Sequence, residues 1–209
     1  MATLTKESLA KAARILARSD HDLARLHRAH GVPPLWGRRP GFSTLVRIIL
    51  EQQVSLASAR AAFGRLKTGV IPLTPQQCLS MGVERLRGLG ITRQKSAYCV
   101  HLTRALCEGD LDLRAVAKMD DAAAKEALVR TKGIGPWTAD IYLLMALRRP
   151  DVWPSGDIAL INTMKSVKHL DEGVAEERLT RIATRWRPYR AVAARMLWQH
   201  YLHHKGRFT

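Results

Sequence analysis

Apolar residues recur at helical spacing along almost the whole chain. Leu179, Ile182, Ala183 and Trp186 fall at i, i+3, i+4 and i+7, and Tyr98, Leu102, Ala105 and Leu106 form a similar stripe earlier. Alternation of the strand type is nowhere sustained, so the pattern predicts an all-α fold. Gly and Pro punctuate it at Gly31-Val-Pro-Pro34, Pro40-Gly41, Ile71-Pro-Leu-Thr-Pro75, Gly88-Leu-Gly90, Gly109, Gly133-Ile-Gly-Pro136, Pro150, Pro154 and Pro188. These breaks divide the chain into about ten helices with short connections. The heaviest lie near 31–41 and 150–156. They suggest a helical lobe of residues 41–149 and a second lobe in which 1–40 packs with 150–209. A cleft between two such lobes is the natural place for a site.

One segment stands apart. A helix over 120–129 runs into Arg130-Thr-Lys-Gly-Ile-Gly-Pro-Trp137, and a helix apolar on every side restarts over Thr138–Leu147. Such a helix must be buried. Gly133 and Gly135 let the backbone turn tightly and approach a partner closely. With Pro136 in the first turn, the N–H groups of the new helix form a ready anion site. A plain turn between helices with a glycine cap gives the same letters. The flanking Arg130 and Lys132 tilt the reading towards phosphate.

Downstream, Asp157 follows Pro154-Ser155-Gly156 and precedes a helical stretch with Leu160, Ile161 and Met164. That position suits a helix N-cap, and a helix N-terminus also favours an ionised carboxylate. On the last helix, Tyr189, Val192, Ala193, Met196, Leu197 and His200 make one apolar stripe. Trp198 falls on a second face with Ala191, Ala194 and Tyr201, as a second packing layer or as a cleft aromatic. Trp36, Trp153 and Trp186 read as packing residues, and Asp140 as a structural hydrogen bonder. Arg87, Arg93 and Lys95 bracket the Gly88-Leu-Gly90 turn as a second phosphate contact or a solvated face. His200, His203 and His204 have metal-like spacing but lack a carboxylate partner.

Composition narrows the partner. In 209 residues, 34 Lys and Arg against 18 Asp and Glu leave a formal charge of +16, while 46% hydrophobic and 25% charged residues are ordinary for a globular chain. The basic residues are spread through the sequence, so a folded surface that meets nucleic acid fits better than a basic tail. Cys78, Cys99 and Cys107 are odd in number and lack CxxC spacing, which argues against a disulfide framework, a Cys-based zinc site and a four-Cys iron–sulfur cluster. The longest purely apolar run, Ile141 to Leu147, is too short for a bilayer, which needs about 20 residues. The N-terminus lacks a signal-peptide pattern. A soluble protein of a reducing compartment is expected, cytoplasmic and near the nucleoid in a bacterium or nuclear in a eukaryote.

LVRTKGIGPWTADIYLLMAL followed by PDVWPSGDIAL resembles the helix-hairpin-helix–GPD superfamily of DNA base-excision glycosylases, and within it the 3-methyladenine-DNA glycosylase II branch. The resemblance runs from about Phe42 to Tyr201 and includes IILEQQVSLASAR (48–60), LRGLGITRQKSAY (86–98) and RWRPYRAVAARMLW (185–198). It implies two helical lobes with the active cleft between them and a hairpin that grips the DNA backbone through Lys132, Gly133, Gly135 and Thr138. Asp157 matches the catalytic aspartate, Trp137 and Trp198 match aromatics of the base pocket, and Gln53 matches the residue that wedges into the duplex. The family's hairpin also commonly holds a monovalent or divalent cation through backbone carbonyls, here those of Val129, Thr131 and Gly133. No cofactor is required.

This chain departs from the family pattern at several places. Trp137 stands where bifunctional members carry a Schiff-base lysine, so no lyase activity is expected. Ile141 stands where related proteins often place another pocket aromatic. The reading is therefore a monofunctional, monomeric glycosylase acting on double-stranded DNA with damaged bases. It flips alkylated purines such as 3-methyladenine and 7-methylguanine and hydrolyses their N-glycosidic bond. The alternatives are a glycosylase of the same superfamily for oxidised or mismatched bases, a non-catalytic DNA-binding hairpin module, and an RNA-binding protein.

Overall fold

The computed structural model describes residues 3–206. Among them are twelve α-helices and no strand: α1 (Lys6–Ser19), α2 (His21–His30), α3 (Phe42–Glu51), α4 (Leu56–Gly69), α5 (Pro75–Gly88), α6 (Arg93–Glu108), α7 (Leu113–Lys118), α8 (Asp121–Val129), α9 (Pro136–Met145), α10 (Ile158–Val167), α11 (Glu176–Thr184) and α12 (Arg190–His204). The count exceeds the ten or so expected because some boundaries carry neither Gly nor Pro. At the α1–α2 break the Asp20 N–H closes α1 on Leu16 O, while its carboxylate accepts from the Asp22 and Leu23 amides and opens α2. One capping residue thus does what a glycine or proline does elsewhere.

The chain forms two units. One is Arg38–Leu147, so its limits fall at 38 and 147 rather than at 41 and 149; the other combines the segments before and after it. In the middle unit α9 packs against α3 and α8, and α3 also lies on α4 and α6. Every residue of α9 from Thr138 to Leu144 is buried, as an all-round apolar helix demands, although it starts at Pro136 rather than Thr138. Its one charged member, Asp140, is neutralised by Lys125 Nζ at 2.8 Å. The Tyr142 hydroxyl accepts from the Gly41 amide at 3.0 Å, tying the start of α3 to α9.

In the other unit α12 packs on α1, α2 and α10. It is buried without interruption from Ala191 to Gln199, on the apolar stripe and on the face with Trp198 alike. Arg195 is fully buried within it and donates to Leu35 O and Ala191 O, each at 2.9 Å. Burial lowers its pKa to about 10. The two oxygens satisfy a cation that would otherwise be costly to enclose. Trp153 and Trp186 are core residues, with ring centroids 5.6 Å apart. The Trp186 indole N–H reaches Asp20 at 2.9 Å, and Lys168 Nζ lies 2.7 Å from both oxygens of the same carboxylate.

Candidate active site

The middle unit carries the hairpin. Between α8 and α9 the chain turns through Ile134, which is buried and donates to Thr131 O at 3.0 Å. The two glycines have different reasons to be glycine. Gly133 has φ +99°, and a Cβ there would sit 2.5 Å from the Tyr98 side chain, so the fold itself excludes any other residue. Gly135 has φ −82°, is exposed, and a Cβ there would meet nothing within 4 Å. Nothing in the folded chain requires a glycine at 135. It is the N-cap of α9 and brings no side-chain cap, and the first amide to bond back into the helix is that of Ala139, to Gly135 O. An uncapped, positive helix end with a bare backbone in front of it suits an anion. Lys132 and Arg130 beside it are exposed, and Arg130 pairs with Glu126 at 2.8 Å.

Thr138, expected to contact the DNA backbone, lies in the first turn of α9. It is buried, and its hydroxyl accepts from Gln52 Nε2 at 2.8 Å, so the side chain serves the interior of the unit. Of the three carbonyls expected to hold a cation, Thr131 O already accepts from Ile134 and Gly133 O from Gln52 Nε2 at 2.9 Å.

Gln53 lies in the turn between α3 and α4, exposed and in the left-handed region at φ +53°. Val54 and Leu56 beside it are 44% and 57% exposed, an apolar edge on a charged protein. The C-terminal end of α3 that carries this turn is heavily tied. Arg38 forks onto Glu51 at 2.8 and 3.0 Å, Arg47 joins at 3.2 Å, and Lys95 Nζ donates to Leu50 O at 2.8 Å. Partial burial in that position lowers the Lys95 pKa. Lys95 is thus a helix C-terminal cation rather than a phosphate ligand. Arg87 is likewise paired, to Glu84, and the Gly88–Gly90 turn is stitched by Arg65, which donates to Leu89 O and Gly90 O. Trp137 is half-buried, whereas Ile141 is buried in α9.

The other unit carries Asp157. It caps α10, with Oδ1 accepting from the Leu160 amide at 2.9 Å, and the same oxygen accepts from the Trp198 indole N–H at 3.1 Å. The capping and chemical readings of this residue are therefore compatible: the cap and the indole N–H both orient the carboxylate. Trp198 is 9% exposed and meets Trp36 edge-on at 6.5 Å. The segment leading into Trp36 is held by Arg195 through Leu35 O, and Trp36 itself is left-handed at φ +45°. Sequence reasoning missed Arg195, whose only sequence signal was a charge on a buried helix. His200 is bonded to His30 at 2.9 Å, and burial first, then its neighbours His204 and His30, lowers its pKa to about 4. Among the described residues no group of three or more His, Cys, Asp or Glu is arranged to hold a metal ion, and no helix is long and apolar enough to cross a membrane.

The order of these features along the chain, hairpin first and capped aspartate after, is that of a known repair family. The family model described as HhH-GPD superfamily base excision DNA repair protein matches residues 46–188. The chain belongs to this superfamily. Among its relatives is a DNA-3-methyladenine glycosylase of Bacillus subtilis, 28% identical over 185 residues, with 82% of this chain and 59% of the relative covered. The chain thus spans about three fifths of that relative's length. A crystal structure of a Bacillus halodurans DNA-3-methyladenine glycosidase superposes with a TM-score of 0.80 at 28% identity, over 94% of this chain and 92% of that one. The Schizosaccharomyces pombe 3-methyladenine DNA glycosylase in complex with abasic DNA shares the fold, with a TM-score of 0.82 at 24% identity over 95% and 99% of the two chains.

Proposed function

We propose that this HhH-GPD protein is a monofunctional DNA glycosylase that excises alkylated purines from double-stranded DNA. The observation that carries the proposal is the Asp157 carboxylate, held by a helix end and by the Trp198 indole N–H, in a chain of this family. Breaking an N-glycosidic bond develops oxocarbenium charge on the sugar, and a fixed carboxylate stabilises that charge. As water adds to the sugar carbon, Asp157 accepts its proton, and the base departs with the bonding electron pair. A methylpurine that is cationic at the ring leaves as a neutral base, so no separate general acid is needed.

The indole faces of Trp137 and Trp198 suit an electron-poor cationic ring, an attraction worth about 0.5–1 kcal/mol when exposed and 2 or more when desolvated. Gln53 fills the gap left by the flipped nucleotide, offsetting an unstacking cost of a few kcal/mol. Gly135, with Gly133 and Lys132, holds backbone phosphate without reading sequence. With Trp137 at the lysine position of bifunctional relatives, the product is an intact abasic site. The carbonyls of Val129, Thr131 and Gly133 are all neutral, which fits a weakly held monovalent cation better than a divalent one. A monomer suffices for these roles.

The test is to incubate the protein with DNA treated with a methylating agent and identify every base released. Release of 3-methyladenine and 7-methylguanine, abolished by Asp157→Asn, is the expected result. Preference for a neutral oxidised base over every methylpurine would overturn the substrate assignment, and borohydride trapping of a protein–DNA adduct would overturn the monofunctional one.

A further inference from the structure

We infer that Gln52, the neighbour of the wedge, is a positioning residue that couples the wedge turn to the phosphate-gripping hairpin. Its Nε2 donates to Gly133 O at 2.9 Å and to Thr138 Oγ1 at 2.8 Å, so one amide spans more than eighty residues of sequence and joins the turn after α3 to the hairpin turn and to the first turn of α9. A peptide carbonyl can only accept, so the amide nitrogen must face it, and both of its hydrogens are then used. Few side chains can do this. Glutamate has the length but no donor, and leucine has neither donor nor acceptor.

The turn needs such a tie. Gln53 is a non-glycine residue at φ +53°, a conformation that persists only where the surroundings hold it. The Gln52 N–H closes α3 on Ile49 O at 3.3 Å, and beyond it Gln53, Val54 and Ser55 are exposed. The side chain of Gln52 is therefore the last anchor before the exposed tip. Its two acceptors belong to the residue that must be glycine and to the first turn of α9, the helix end offered to phosphate. Gripping the backbone and presenting Gln53 are consequently one rigid arrangement, and a phosphate seated on α9 sets the position of the wedge.

This inference rests on Gln53 acting as the wedge, and the experiment separates the two. Gln52→Ala, Gln53→Ala and the double variant are compared in single-turnover release of 7-methylguanine, from a duplex in which it pairs with cytosine and from the single strand. Hydrogen exchange is followed in the peptides covering 52–56 and 133–138. Gln52→Ala should lose about tenfold on the duplex, the scale of two buried hydrogen bonds, and less than about twofold on the single strand. The double variant should be no slower than the slower single one, since Gln52 acts through Gln53. Exchange should quicken in both peptides. Gln52→Glu should lose at least as much as Gln52→Ala, whereas Thr138→Val, which removes one acceptor, should lose less. Multiplicative losses, or equal losses on both substrates, would mean that Gln52 only supports the fold and would overturn the coupling. If Gln53→Ala is indifferent to pairing, the wedge assignment fails, and exchange decides the tie alone: unchanged exchange in Gln52→Ala overturns it.

Discussion

Substituting the two hairpin glycines one at a time separates what the fold needs from what the DNA needs. Gly133→Ala must accommodate a Cβ 2.5 Å from Tyr98 and a φ of +99°. Backbone strain of about 1–3 kcal/mol and overpacking of about 1–3 kcal/mol together cost about 2–6 kcal/mol, a large part of a domain's stability. Gly135→Ala meets open space at φ −82°. Alanine is a poorer N-cap by about 1 kcal/mol at most, and its stiffer unfolded chain returns about 0.4–1 kcal/mol. Its melting temperature should stay within a few degrees of the parent. Affinity for undamaged duplex should nevertheless fall roughly ten- to a hundredfold, the loss expected when a methyl group displaces a phosphate from charge-assisted hydrogen bonds worth about 1.5–3 kcal/mol.

The salt dependence carries further information. Neutral amides release no counterions of their own, so Gly135→Ala should lower affinity with little change in its slope against salt. Lys132→Ala should flatten that slope by about one unit. Thermal melts and duplex binding across a salt series measure both. A Gly135→Ala protein that binds DNA like the parent would refute the claim that this glycine is bare for a ligand. One that unfolds would refute the claim that the fold does not need it.

Three further outcomes are expected. Asp157→Asn keeps a capping oxygen, so a melt should show a folded protein, while single-turnover base release falls by orders of magnitude and DNA affinity persists or rises. Trp198→Phe keeps an aromatic ring but removes the N–H that holds Asp157 Oδ1; it should slow excision about tenfold, and Trp198→Ala should slow it more. The third concerns acid. Burial alone would raise the Asp20 carboxyl, but hydrogen bonds from Lys168, Trp186 and the Leu23 amide bring its pKa below the ordinary value. A group lowered in the folded state stabilises above its unfolded pKa, near 3.9, and loses that contribution as pH falls through the folded value. Asp20→Asn should therefore cost about 1–3 kcal/mol near neutral pH, with the gap to the parent starting to narrow as pH falls below about 4 in denaturant titrations; a gap that stays constant down to the lowest pH at which the parent is folded would contradict this.

The all-helical class, the hairpin and the downstream aspartate were legible in the sequence because each rests on local rules. Hydrophobic period, Gly and Pro breaks and capping preferences act within a few residues. The same rules missed the α1–α2 break, where Asp20 ends one helix and starts the next without a glycine or proline. They also misjudged Lys95, a polar residue beside a glycine turn whose partner, Leu50 O, lies far away in sequence.

Gly133 and Gly135 look equivalent in the sequence, and only packing against Tyr98 tells them apart. Gln52 and Gln53 are identical neighbours, yet one is tied to the hairpin and the other is exposed. Asp157 reads as a cap in the sequence, and only the fold brings the indole of Trp198, 41 residues on, to the same oxygen that caps α10. The sequence by itself determined the all-helical class, most of the helices and the family to which the chain belongs. Tertiary structure decided which donor meets which acceptor, because a hydrogen bond of 3 Å depends on how helices distant in the chain come together, and no local period encodes that distance.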